Sequence, residues 1–258
     1  MHARSVLPAA DGPHQTDGMA RTDGVPCWAE LDVEDAGTVT PFYTAVLGWA
    51  VGPGTAAEHQ AALARVDGRA VAAFGSPGVA APPVWTLYLA VDDVDAAAEE
   101  LEELGGQVLH GPEDDGAGGR LLVGVDAGAA VVGLWESDDE IPPAGPGRLC
   151  WAEAASAEPG TTRTFYRELV GWGFVDGGDQ PGHLHGIAGD TPVAGLGLAG
   201  DALPHWLPFF GVSDVDAAVA VACEAGGEVA TPAAPGPRGR HAALVDPAGA
   251  HFGVIEVG

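Results

Sequence analysis

"PCWAELDVEDAGTVTPFYTAVLGWAV", Pro26 to Val51, and "LCWAEAASAEPGTTRTFYRELVGWGFV", Leu149 to Val175, are the same sentence written twice. Trp28 and Trp151, Phe42 and Phe165, and Gly48 and Gly171 each stand 123 residues apart. Further along, Trp85 and Trp206, and the aspartates Asp93 and Asp214, stand 121 apart, and Glu136 and Glu256 stand 120 apart. A register held this closely marks a duplicated domain, since the unit is too long for a solenoid repeat. The acidic and then Pro/Gly-rich stretch "SDDEIPPAGPGR" reads as the join. The expected organisation is a flexible leader over 1–24, a first domain over 25–137, a linker over 138–147 and a second domain over 148–258.

Within the first copy, "WAELDV" alternates, with Ala29, Leu31 and Val33 on one face and Trp28, Glu30 and Asp32 on the other. A helix is expected from about Thr38 to Leu47, stopped by Gly48, with Pro41 in its first turn. Three short strands follow, around "WAVG", "HQAALARV" and "AVAAFG". "WTLYLAV" is a further strand, and "DDVDAAAEELEELGG" is an amphipathic helix with an aspartate cap and a Gly-Gly stop. "RLLVGVD" and "AAVVGLWE" close the unit. Strand, helix, three strands thus occurs twice per copy and four times in the chain, an α+β plan.

Composition narrows the function. Of 258 residues 47 % are apolar, enough for a sizeable core. No stretch approaches the ~20 apolar residues of a membrane helix, and the N-terminal segment lacks the apolar run of a secretion signal. A cytoplasmic protein is expected. There are 37 acidic residues, ten arginines and no lysine, for a formal charge of −27. Such a surface repels nucleic acid and anionic lipid and attracts cationic small molecules. Cys27, Cys150 and Cys223 form no C-x-x-C pattern and read as small buried residues rather than nucleophiles.

The repeated "FYTAVLGW" and "FYRELVGW", "VDDVDAA" and "VSDVDAA", and then "DPAGAHFGVIE" resemble the vicinal oxygen chelate superfamily, which includes glyoxalase I, extradiol dioxygenases and bleomycin-binding proteins. The tandem arrangement is similar to an actinobacterial glyoxalase-like subgroup. The resemblance covers about Pro26 to Val257. It implies two tandem domains, four βαβββ modules forming curved mixed sheets around a cup, and helices on the convex side. It also implies a monomer with pseudo-dimeric domains, or a homodimer.

Catalytic members of that superfamily hold a divalent metal with side chains from the first, fourth, fifth and eighth strands. The corresponding positions here are Trp28 and Trp151, Thr86 and Leu207, and Gly133 and Gly253, and the fourth strands "AVAAFG" and "PVAGLG" contain no ligating side chain. An indole offers a metal no lone pair, and leucine and glycine offer nothing. No metal or other cofactor is therefore expected. A shifted site built from Glu153, His205 and His251, each two residues from a lost ligand, is the alternative, because two histidines and a carboxylate are a competent donor set.

Without a metal, aromatic walls remain. The expected ligand-binding residues are Trp28, Glu30, Thr86, Tyr88 and Trp135 in the first cup, and Trp151, Leu207, Phe209 and Ile255 in the second. Two functions fit. One is a metal-independent protein of secondary metabolism that sequesters or presents an aromatic, polyketide- or antibiotic-like ligand. The other is a metal-free isomerase, cyclase or lyase in which Glu153 acts as base and His205 or His251 as acid. If one cup serves, the second is favoured, because it carries the histidines. His183 and His185 of "GHLHGI" share a strand face that the sequence leaves unassigned.

Overall fold

The structure, a computed structural model, describes residues 23–54, 62–75, 82–116, 118–178 and 181–258. Most of the expected leader, residues 1–22, lies outside them. The expected module appears four times. The first is β1 (Pro26–Asp32), α1 (Ala36–Leu47), β2 (Ala50–Pro53), β3 (Ala62–Val66) and β4 (Arg69–Gly75). The second is β5 (Val84–Ala90), α2 (Val94–Glu103), β6 (Gln107–Asp114), β7 (Arg120–Val125) and β8 (Val131–Glu136). The third is β9 (Leu149–Ser156), α3 (Pro159–Val170), β10 (Gly173–Asp176), β11 (Leu184–Ala188) and β12 (Thr191–Leu198). The fourth is β13 (His205–Val212), α4 (Val215–Glu224), β14 (Glu228–Gly236), β15 (Gly239–Val245) and β16 (His251–Glu256).

Local chemistry sets these boundaries. Asp93 and Asp214 accept backbone N–H groups of the first turns of α2 and α4, satisfying donors that a helix start leaves open. α1 begins two residues earlier than its pattern indicates, because Asp35 caps it by accepting the Gly37 N–H at 2.8 Å. Pro41 consequently sits in the second turn. Gly48 and Gly171 end α1 and α3 at φ 71° and 68°, a left-handed conformation that costs glycine nothing.

Each half forms one mixed eight-stranded sheet, ordered β2-β3-β4-β1-β5-β8-β7-β6 and β10-β11-β12-β9-β13-β16-β15-β14. The antiparallel pairs β1–β5 and β9–β13 join the two modules of each half at the centre. Packing crosses between the halves: α1 lies against α4 and α2 against α3. Phe42 meets Phe252 edge-on at 5.9 Å, and Phe210 packs on Trp49 and Trp85 at 5.0 and 5.2 Å. Burial of each such ring stabilises by about 1.5–3 kcal/mol.

Polar locks reinforce that contact. The Tyr43 hydroxyl donates to Asp246 at 2.9 Å and accepts the Trp85 indole N–H at 3.0 Å. In the mirrored place, Tyr166 donates to Asp126 at 2.7 Å and accepts from Trp206 at 2.9 Å. The indoles of Trp49 and Trp172 donate to the carbonyls of Gly147 and Gly24, the residues that lead into β9 and β1. Each half therefore fastens the entrance strand of the other.

Candidate functional site

The strand face opposite these locks carries the residues of the two cups, and register explains why the cups differ. In the second half, pairing aligns His185 of β11, Gly195 of β12, Glu153 of β9 and Leu207 of β13 in one row. The same row in the first half reads Leu63, Ala73, Glu30 and Thr86. Any Cβ at Gly195 would run into the Glu153 carboxylate, so the glycine makes room for it.

The expected lining of the first cup, Trp28, Glu30, Thr86, Tyr88 and Trp135, is buried. Trp28 and Trp135 pack at 6.1 Å, the Tyr88 ring covers Gly133, and the Trp135 indole donates to Asp115 at 3.0 Å. Tyr88 also donates to Glu30 at 3.4 Å. Leu63 and Ala73 belong to the same apolar cluster, and Glu30 sits among it. Burial, with Asp32 nearby, pushes the Glu30 carboxyl up to about 8, so it is a neutral acid near pH 7. Here the structure departs from the expectation of an open aromatic-lined cup, because apolar side chains fill the places that the second half gives to glycine and histidine.

The second cup is a hollow of about 850 Å³. Trp151, Leu207, Phe209 and Ile255 line it, together with Glu153 and His205. His183 and His185 line it too, which settles the face left open by the sequence. Glu153 is its polar centre. One carboxylate oxygen accepts the Trp151 indole N–H at 2.5 Å, and the other meets His183 Nε2 at 2.8 Å. His185 packs edge-on against both Trp151 and His183, at 5.2 and 5.5 Å. The imidazole held by Glu153 is thus neither of the two expected. His205 turns its Nδ1–H to the Leu203 carbonyl at 2.8 Å.

His251 is a correction. It begins β16, opposite Val245, and is exposed. The part of β16 that reaches the hollow is Ile255, paired with His241. Four residues of strand, roughly 13 Å, separate these two positions. Alternation gives His251 the right face, but it precedes the Phe209–Gly253 pair at which β16 joins β13 and stands outside the lining of the hollow, so it does not join Glu153 and His205. Two further residues escaped the sequence reading. His241 and Arg238 line the hollow from β15 and from the β14–β15 turn, and the Arg238 guanidinium carbon lies 4.3 Å from the Trp151 ring centroid. A period-two pattern in "RHAALV" was the available signal for His241, whereas no pattern fixes a hairpin tip.

The residues at the superfamily's metal positions do not suit a metal. Trp151 spends its N–H on Glu153, Leu207 is apolar, and Gly133 and Gly253 are each covered by an aromatic ring, Tyr88 and Phe209. Among the described residues no group of three His, Cys, Asp or Glu side chains could hold a metal ion. Nor do the cysteines offer a nucleophile in the hollow. Cys27 is buried, Cys223 is exposed on α4, contrary to expectation, and burial pushes the Cys150 thiol up.

Comparison with known proteins agrees with this architecture. The model of a glyoxalase-like domain matches residues 28–139 and again 151–255. The anthracycline biosynthesis protein DauV of Streptomyces sp. strain C5 is 34 % identical over 264 residues, spanning 91 % of this chain and 94 % of that protein. Among solved structures, the 2,2',3-trihydroxybiphenyl 1,2-dioxygenase of Sphingomonas wittichii RW1 superposes with a TM-score of 0.66 at 16 % identity, covering 92 % of this chain and 91 % of that one. The Mn(II)-bound glyoxalase of Novosphingobium aromaticivorans superposes with a TM-score of 0.65 at 15 % identity, covering 92 % and 83 %. At these identities the structural likeness is one of fold. No helix among the described residues is long and apolar enough to cross a membrane.

Proposed function

The chain belongs to the glyoxalase-like domain family, and from that premise we propose that it is a metal-independent binding protein of secondary metabolism whose second cup takes a flat aromatic metabolite. The observation that carries this reading is the hollow of about 850 Å³ walled by Trp151 and Phe209, with the Glu153–His183 pair at its centre. That volume falls in the range of drug-sized ligand sites, and aromatic walls with few polar groups favour planar guests. The name of the relative DauV, an anthracycline biosynthesis protein, supports the setting. The unsuitability of the metal positions supports a site that works through organic contacts alone. Titration of tryptophan fluorescence with a panel of aromatic polyketides tests the proposal. Saturable quenching that weakens at least tenfold in Trp151→Ala supports it, and a panel without saturable quenching refutes it.

A second reading is favoured by one contact. Glu153 and His183, joined at 2.8 Å in the lining of the hollow, form a carboxylate–imidazole pair able to move a proton on a bound ligand. In this reading the chain is a metal-free isomerase, cyclase or lyase, with His183 in the place that the sequence assigns to His205 or His251. Turnover that persists in EDTA and is lost in Glu153→Gln distinguishes it from binding alone.

A further inference from the structure

The hollow does not share the acidity of the protein that contains it. Over the whole chain, 37 acidic residues face ten arginines. The described lining of the hollow holds one carboxylate, Glu153, against Arg238 and four of the chain's nine histidines, His183, His185, His205 and His241. Glu153 already accepts from both Trp151 and His183.

Arg238 is differently placed from its neighbours. Arg120, Arg148 and Arg240 pair with Asp95, Asp67 and Asp216. Arg238 makes no ion pair or side-chain hydrogen bond among the described residues. Its guanidinium lies over Trp151 in the lining of the hollow, where partial burial pulls its pKa down. A guanidinium carries five N–H donors and no acceptor. Over an indole the cation is held by the ring face, and its edge remains available to an incoming acceptor.

We propose that Arg238 reads an acidic oxygen on the ligand, so that the second cup takes planar aromatic anions (phenolates, enolates, carboxylates) rather than the cations that the protein's net charge would attract. This rests on the aromatic-ligand reading of the same cup. The Trp151 face and Phe209 hold the ring system, and Arg238 supplies a planar fork matched to an oxyanion. The acidic exterior then opposes the approach of the same ligand, so selection operates in the hollow and not through long-range attraction.

The test uses three probes with one ring system: anthraquinone-2-sulfonate, neutral 2-(hydroxymethyl)anthraquinone and a cationic 2-(trimethylammoniomethyl)anthraquinone, each titrated calorimetrically into the full chain. The sulfonate is expected to bind about tenfold or more tighter than the neutral probe, and the cation most weakly. Arg238→Gln should bring the sulfonate to the affinity of the neutral probe while leaving the neutral probe within about threefold. Arg238→Lys should restore part of the preference, since it returns charge without the fork. Arg69→Gln, a charge-matched control in the first half, should leave all three affinities as they were. A cation that binds as tightly as the sulfonate, or a preference that survives Arg238→Gln, overturns the inference while leaving the aromatic site intact. Absence of binding by all three probes overturns both.

Discussion

Tyr43, on the first helix of the first half, donates its hydroxyl proton to Asp246, in the last turn of the second half, while Tyr166 and Asp126 repeat the bond with the halves exchanged. Asp246 also accepts the N–H groups of Ala248 and Ala250, and Asp126 those of Gly128 and Ala130. A repeated "FY" pair and a repeated loop aspartate thus find each other across the duplication. The consequence is that neither sheet has a finished core without its partner.

Removal of one hydroxyl leaves a buried aspartate and an indole N–H short of a partner. Tyr43→Phe and Tyr166→Phe are each expected to destabilise the chain by about 1–3 kcal/mol. Urea denaturation followed by far-UV circular dichroism and by tryptophan fluorescence measures this. Both probes should trace a single coincident transition, because each half supplies the other's core.

Glu30 provides a pH signature. Its carboxyl is raised to about 8 in the folded chain and has its ordinary value near 4.5 when unfolded. The folded state thus keeps the proton where the unfolded state has lost it. The stabilisation is complete below about pH 4.5, and is lost as pH rises through about 8. Glu30→Gln removes this dependence. Its melting temperature, relative to the parent, should rise progressively from pH 5 to pH 9, by an amount equivalent to a few kcal/mol at the alkaline end. An offset constant across that range would contradict the assignment.

Gly195 tests the second cup without touching an aromatic wall. A methyl group there would displace the Glu153 carboxylate from its place beside His183. Gly195→Ala should therefore weaken ligand binding at least tenfold while changing stability by under about 2 kcal/mol, since Ala73 already occupies the matching place in the first half. Calorimetric titration beside thermal denaturation separates the two effects.

Much of the architecture was legible in the sequence because it is written in local rules. Asp93 and Asp214 announce helix starts, Gly48 and Gly171 announce stops, and the duplication checks each reading against its copy. The faces of the strands were also legible, since alternation assigns Trp151, Glu153, Leu207 and Phe209 to one side. What escaped depended on tertiary distance. The contrast between Ala73 and Gly195 is a single methyl group, yet it separates a buried, neutral Glu30 from a Glu153 held by His183. His251 shares a face with Ile255 but precedes the pairing of β16 with β13 and is exposed outside the hollow. Arg238 occupies a turn, where no periodicity predicts direction, and its guanidinium comes to rest over the Trp151 ring.

On the proposed reading, the second cup binds an aromatic ligand through these side chains with no metal between them. Calorimetric titration of one planar aromatic ligand into the natively purified chain, before and after exhaustive EDTA treatment and with elemental analysis of both samples, tests it most directly. One ligand per chain, an affinity unchanged by the treatment, and no stoichiometric transition metal in either sample are the expected outcome. Stoichiometric iron, manganese or zinc in the native sample, with binding lost on stripping and regained on its return, would contradict it.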